Sequence, residues 1–167
     1  MKDIDVELKG IFREKEDVRR AREKAMILLS YSDYTVKAMR EKLTDLGFEG
    51  ETVWEVLNFL VDRRYIDEAG YLSRYCEFLA EGKLYGRLKI YAEVLKKGFS
   101  KEIINSRFDE LTGNFDFVDI CLRQIKKSRS YDITDNKSRQ KLIASLSRRG
   151  FSLSEIKAAL ELADGRE

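Results

Sequence analysis

Apolar residues along the chain fall three and four apart in short runs, the spacing that lines one face of an α-helix. These runs follow one template three times. The template is anchored on a dipeptide, Gly47-Phe48, Gly98-Phe99 and Gly150-Phe151, at intervals of 51 and 52 residues. Eight and four residues before each glycine stand apolar pairs: Met39 and Leu43, Ile90 and Val94, Leu142 and Leu146. Twelve before it stand small residues suited to starting a helix, Thr35, Gly86 and Ser138. Six, ten and thirteen after it come Val53, Leu57 and Leu60, then Ile104, Phe108 and Leu111, then Ile156, Leu160 and Ala163. Matched apolar positions at a fixed period near 50 residues mark a repeated supersecondary unit. Glycine suits the left-handed backbone just past a helix end, where a Cβ is costly. Each copy therefore reads as a middle helix, a tight turn and a shorter last helix.

A further helix precedes each of these pairs, which predicts an all-α chain of nine helices: three tandem three-helix repeats forming an elongated, curved array. Residues 1–16 read as a charged lead-in, 17–66 as the first repeat, 67–113 as the second and 114–167 as the third. In the first repeat a helix over residues 17–30 carries Val18, Ala21, Ala25, Leu28 and Leu29 on one stripe. Thr35 then caps a helix that runs to Leu46. Thr52 followed by Glu55 reads as a capping box for a helix ending at Asp62 or Arg63. In the second repeat Asp67 caps a helix that ends near Gly82, with Tyr71, Leu72, Tyr75, Phe78 and Leu79 as its stripe. A middle helix follows over residues 86–97. Ser100 caps the last helix, which ends near Leu111, and Gly113-Asn114 separates the repeats. The third repeat opens with a helix over residues 115–129 that uses Phe117, Val118, Cys121, Leu122 and Ile125. A loop over residues 131–135, a helix over 136–149 and a capping box at Ser152 and Glu155 complete it. A unit of about 50 residues is small for independent stability, so each repeat should lean on its neighbours.

Composition agrees with this picture and removes several functions. The 167 residues include no proline, and 37% are charged. No run of about 18 apolar residues is present to span a membrane. The opening residues Met1-Lys2-Asp3-Ile4-Asp5 lack the apolar stretch of a secretory signal, so a cytoplasmic location is expected. The chain has no histidine, no metal-ligand cluster and no glycine-rich phosphate loop, which argues against an enzyme and against a cofactor or metal. Cys76 and Cys121 lie in apolar stretches and are expected as buried free thiols.

The net charge of +2 hides an uneven layout. Over residues 123–149 stand Arg123, Lys126, Lys127, Arg129, Lys137, Arg139, Lys141, Arg148 and Arg149, opposed only by Asp132 and Asp135. Such a stretch points to an anionic partner, either nucleic acid or an acidic protein surface. Helix, glycine turn and helix also suggest a helix-turn-helix DNA reader. The helices after the turns, however, carry Glu55, Asp62, Glu102, Asp109, Glu155 and Glu161. Those signs are unfavourable beside phosphates, and only Asn58 and Asn105 suit base reading. Periodicity alone fits a DNA-binding module or a protein–protein adaptor.

The chain resembles the RecX family, bacterial modulators of the recombinase RecA. The resemblance rests on Leu29-Ser30-Tyr31-Ser32-Asp33-Tyr34-Thr35 leading to Lys42-Leu43 and Gly47-Phe48, and on Tyr65-Ile66-Asp67-Glu68. It continues in Tyr85-Gly86-Arg87-Leu88-Lys89-Ile90, in Glu93-Val94-Leu95-Lys96-Lys97-Gly98-Phe99, and in Leu146-Ser147-Arg148-Arg149-Gly150-Phe151-Ser152. Departures include Ser32 where arginine is usual, Ala38 where glutamate is common, and Arg87 where proline often starts the helix. The resemblance implies a non-catalytic regulator that lies along the groove of the RecA–single-stranded DNA filament. There it would damp ATP hydrolysis, strand exchange and repressor cleavage. Separately, the basic stretch over residues 123–149 suits weak contact with single-stranded DNA, and a repeat array with distinct terminal units is expected to be monomeric. The residues expected to carry partner contact are the basic ones on the first and middle helices: Lys37, Arg40, Arg74, Arg87, Lys89, Arg123, Lys126, Arg139, Arg148 and Arg149.

Overall fold

The computed structural model describes the backbone of residues 2–128 and 136–165, and the side chains of residues 15–128 and 136–165. The expected loop over residues 131–135, with Asp132 and Asp135, lies outside the described residues, as does Arg129. Among the described residues the regular structure is helical throughout. In chain order the helices are α1 (Lys2–Tyr31), α2 (Val36–Asp45), α3 (Gly50–Asp62), α4 (Glu68–Glu77), α5 (Arg87–Lys97), α6 (Lys101–Gly113), α7 (Phe117–Lys127), α8 (Asn136–Arg148) and α9 (Leu153–Ala163). The stretch expected as a lead-in is the first half of α1. The chain divides into two compact units, Met1–Tyr71 with Lys97–Ser100, and Leu72–Lys96 with Lys101–Glu167.

In the first unit α1, α2 and α3 pack on one another, α1 most extensively on α3. The core joins Val18, Ala21 and Ala25 from α1, Met39 and Leu43 from α2, and Val53, Val56, Leu57 and Leu60 from α3. Leu28, Leu29 and Phe48 close its margin. Arg22 lays its guanidinium 4.0 Å over the Phe59 ring. In the second unit α7 packs mainly on α9, and α8 also meets α9. Ile90, Val94, Ile104, Phe108, Ile120, Leu142, Leu146, Phe151, Ile156 and Leu160 are all buried there. Every apolar pair before a glycine is fully or almost fully buried. Leu111 and Ala163, expected on the inner face, are only partly covered.

The three glycine turns share one geometry. Gly47, Gly98 and Gly150 take φ of +87°, +89° and +89°, the left-handed conformation. The next helix starts three residues after each glycine, at Gly50, Lys101 and Leu153. Turn geometry therefore sets the helix start, and it corrects the capping box expected at Thr52 and Glu55. The N-cap of α3 is Glu49, which makes no side-chain cap bond, and Thr52 is buried inside the first turn. At α9 the same offset places Ser152 at the N-cap, and its capping box with Glu155 forms as expected. Thr35 caps α2 by accepting from the Ala38 N–H at 3.1 Å. Asp67 accepts from the Gly70 N–H at 3.0 Å, and Asp116, two residues into the predicted helix, is the cap of α7.

The end of α4 departs from the pattern. The helix continues as a π-helical turn over Phe78–Gly82, and Leu84 follows in the left-handed region at φ 53°. The wider turn shifts the phase of the helix, so Phe78, expected on the inner stripe, is 50% exposed, while Leu79 and Ala80 are buried. A left-handed leucine costs on the order of 1 kcal/mol or more, and this one directs the chain into Tyr85 and Gly86.

Both units contain the same joint. In the first, the turn at Gly98 sits on the N-terminus of α2: Thr35 donates its hydroxyl to the Lys97 carbonyl at 3.3 Å. The Val36 N–H donates to the Glu68 carboxylate at 2.8 Å. In the second, the turn at Gly150 sits on the N-terminus of α5. The Gly86 N–H donates to the Arg149 carbonyl at 2.8 Å, and the Leu88 N–H to the Gly150 carbonyl at 3.2 Å. A helix start leaves N–H groups without partners inside the helix. At α5 the carbonyls of Arg149 and Gly150 take up two of them; at α2 the Glu68 carboxylate and the Thr35 hydroxyl do so, and the Lys97 carbonyl in turn accepts from that hydroxyl. Ser138, at the matching position of the third repeat, is the third residue of α8 rather than its cap.

The joint explains why glycine is required on both sides. A Cβ on Gly150 would lie 2.2 Å from the Lys89 nitrogen, and one on Gly86 would lie 2.3 Å from the Gly150 carbonyl. A Cβ on Gly98 would be 3.1 Å from Lys37 Cδ, and one on Gly47 would meet nothing within 4 Å. Gly47→Ala should therefore cost only the left-handed penalty, about 1 kcal/mol. Gly150→Ala should cost at least about 2 kcal/mol more, because backbone must move, as read by urea unfolding of the two variants.

Candidate functional site

Several of the cations expected to touch a partner are spent on the fold, and several are exposed. Arg87 pairs with Asp109 at 2.7 Å, donates from Nε to the Thr112 hydroxyl at 3.1 Å and lies 5.5 Å from the Phe108 ring centre. It ties α5 to α6. Lys89 pairs with Glu93 at 2.8 Å, and that hydrogen bond holds the Glu93 carboxyl below its ordinary range and raises the Lys89 ammonium. Arg123 bridges α7 to the π-helical turn through Glu81 at 2.8 Å and also meets Asp119 at 2.9 Å. Its hydrogen bond to Glu81 raises its pKa further. Arg139 pairs with Asp164 at 3.3 Å across α8 and α9.

Arg149 belongs to the second joint. Its guanidinium donates to the Lys83 carbonyl at 3.2 Å and lies 5.6 Å from the Tyr85 ring centre. Lys89 Nζ stands 5.9 Å from the same ring. The structure thus brings Lys89 and Arg149 together around Tyr85, a cation–π arrangement that locks the joint while leaving positive charge at its edge.

The remaining positions are outward. Lys126 and Arg148 are exposed, with no ion pair among the described residues. Arg74 is exposed on α4. Lys37 reaches Glu41 only at 3.8 Å. Arg40 is exposed and lines two notches of the first unit. One is formed with Thr44, Gly50, Val53 and Trp54, the other with Val36, Lys37, Glu68, Gly98, Phe99 and Ser100. Trp54 is 66% exposed. Sequence reasoning placed the aromatic residues in the core and passed over this one. The signal was there in the repeat itself, since its counterparts seven residues after the other glycines are Asn105 and Lys157, both polar.

Among the described residues no group of three His, Cys, Asp or Glu side chains could hold a metal ion. No described helix is long and apolar enough to cross a membrane. The surface offers arrayed cations and apolar side chains, which suit binding.

Comparison with known proteins agrees. Residues 21–60 match the first three-helix domain of RecX, and residues 123–160 match its third three-helix domain. The regulatory protein RecX of Pelodictyon phaeoclathratiforme is 30% identical over 140 residues, covering 83% of this chain and 85% of that protein. The chain belongs to the RecX family. The RecX protein of Caldanaerobacter subterraneus subsp. tengcongensis is 29% identical over 149 residues, covering 87% of this chain and 72% of its own. A crystal structure of RecX from Lactobacillus salivarius superposes with a TM-score of 0.75 at 23% identity, covering 90% of this chain and 98% of that one. A second crystal structure of a regulatory protein RecX gives 0.79 at 20% identity, covering 91% and 77%. These two establish the shared fold. The RecX relatives are named as regulatory proteins, and a regulatory role goes with the membership.

Both thiols of this RecX chain are buried and free. Burial pushes Cys76 up to about 11. Burial, with the Glu155 carboxylate adding to it, pushes Cys121 up to about 12. Iodoacetamide at pH 8 should therefore leave both unmodified in the native state and label both in urea, as mass spectrometry would read. The folded pKa values lie above the ordinary value of 9.0, so the unfolded state loses protons first as pH rises. Stability should fall as pH climbs from 9 toward 11 and 12.

Proposed function

We propose that this chain is a negative regulator of RecA. It binds along the groove of the RecA–single-stranded DNA filament and inhibits ATP hydrolysis, strand exchange and stimulated repressor cleavage, so tuning recombination, repair and the SOS response. The observation that carries this reading is the RecX membership, with 85% of a 30%-identical relative covered. The surface supports it. Outward cations occur in every repeat, with Lys37 and Arg40 in the first, Arg74 in the second, and Lys126 and Arg148 in the third. Several weak contacts on one ligand add through effective concentration, which suits a partner that is itself a repeating polymer. A monomer acting in the cytoplasm, with the filament as its target and only weak direct contact to single-stranded DNA, fits the same picture. The cations engaged by Asp109, Glu93, Glu81 and Asp164 serve the fold first and any partner second.

Titrating the protein into ATP hydrolysis by the cognate RecA on single-stranded DNA, at physiological salt, tests the reading. Inhibition below one molecule per RecA subunit is expected. Reversing Arg40 and Arg148 together to glutamate should weaken inhibition by about tenfold while the melting temperature holds, since neither makes an internal ion pair among the described residues. No inhibition and no co-sedimentation with the filament would leave a helical adaptor for another partner.

A further inference from the structure

Helix α5 is apolar on two opposite faces. Its inner face is Ile90 and Val94, both fully buried. Its outer face is Leu88, Tyr91, Ala92 and Leu95, spaced i, i+3, i+4 and i+7, one straight stripe of a helix. Leu88 is 67% exposed, Tyr91 40% and Leu95 43%, and Ala92 is exposed as well. The repeat supplies an internal control. Counted from each turn glycine, the matching positions are Lys37, Arg40, Glu41 and Thr44 on α2, and Gln140, Ile143, Ala144 and Ser147 on α8. The fold is thus built twice with this face polar or mixed. On α5 Tyr91 also sets its ring edge-on to the buried Phe108 of α6, with centroids 5.1 Å apart, whereas the repeat pattern does not require Leu88 and Leu95 to be apolar.

We infer that the outer face of α5 is the docking surface for one helix of the protein partner, an amphipathic helix whose apolar stripe carries carboxylates at one end. A convex helical stripe of this length, about 10 Å over seven residues, is complemented by the ridges of another helix. Charge selects which helix. Of the exposed charged residues of α5, Arg87 is already paired with Asp109, and Lys96 and Lys97 make the C-terminal end of the stripe basic. Its single acid, Glu93, is mostly buried and held by Lys89. A second copy of this chain is a poor occupant, because α5 itself carries no exposed carboxylate to meet Lys96 and Lys97. A polyanion gains nothing from leucines. In the regulatory reading proposed above, on which this inference rests, the occupant belongs to the recombinase filament.

The test transplants residues from the third repeat onto the second. Leu88→Gln and Leu95→Ser install what Gln140 and Ser147 already are at the matching positions, so the double variant should fold. Its circular dichroism and melting curve check that it does. Co-sedimentation with the cognate RecA filament should weaken by tenfold or more, and Leu88→Met should retain binding. Wild-type binding with an unchanged double variant would overturn the inference and spare the regulatory reading. Wild-type protein that fails to bind the filament would overturn both. Self-association of the wild type in sedimentation equilibrium, lost in the double variant, would name a second copy as occupant and overturn the inference. Pelleting with anionic phosphatidylserine vesicles, lost in the double variant, would do the same in favour of a lipid surface.

Discussion

The structure depends on how a helix start finds hydrogen-bond acceptors. The N-terminus of α5 receives the carbonyls of Arg149 and Gly150, and Thr35 at the start of α2 bonds the carbonyl of Lys97. In both cases the acceptor lies at the end of the next middle helix, so a positive helix end meets a negative one. Such a contact satisfies groups that burial would otherwise leave orphaned, and it demands that backbone approach backbone. In the second joint that demand is met only because glycine stands both in the turn, at Gly150, and on the helix start, at Gly86. Within the second unit, the start of α5 and the turn after α8 are thereby held in one register.

Much of this was legible in the chain. The interval between Gly-Phe pairs, and the buried pairs Met39 and Leu43, Ile90 and Val94, and Leu142 and Leu146, follow directly from periodicity. What the sequence did not show has local causes. Thr52 and Glu55 satisfy the capping pattern, yet the left-handed glycine places the helix start three residues earlier, and Glu49 occupies the cap without using its side chain. The π-helical turn after α4 has no signature in residue type and moves Phe78 outward. The grouping of Lys97–Ser100 with the first repeat is a tertiary contact at a distance of some sixty residues, invisible to any local pattern.

The candidate surface was legible as composition and not as geometry. Counting cations over residues 123–149 suggested a basic face, but Arg123 and Arg139 are held by Glu81, Asp119 and Asp164, and Arg149 braces the second joint. Acids outside the stretch take up two of its cations, while Lys126 and Arg148 stay exposed with no ion pair among the described residues. The features that mark the surface for binding are instead those the repeat does not need. They are Arg40 and Trp54 beside one notch of the first unit, and the outer stripe of α5. Comparing the three copies within one chain separates positions the fold dictates from positions it leaves open, and the open ones are where function can be written.

The claim on which the account turns is that, inside the second unit, the turn at Gly150 supplies the acceptors for the start of α5. Amide hydrogen exchange under native conditions tests it most directly. The Gly86 and Leu88 N–H groups, at a helix start where amides ordinarily exchange freely, should exchange orders of magnitude more slowly than that of Glu51 in the first turn of α3, because they bond the Arg149 and Gly150 carbonyls. Exchange at Gly86 and Leu88 as fast as at Glu51 would contradict the joint and the packing built on it.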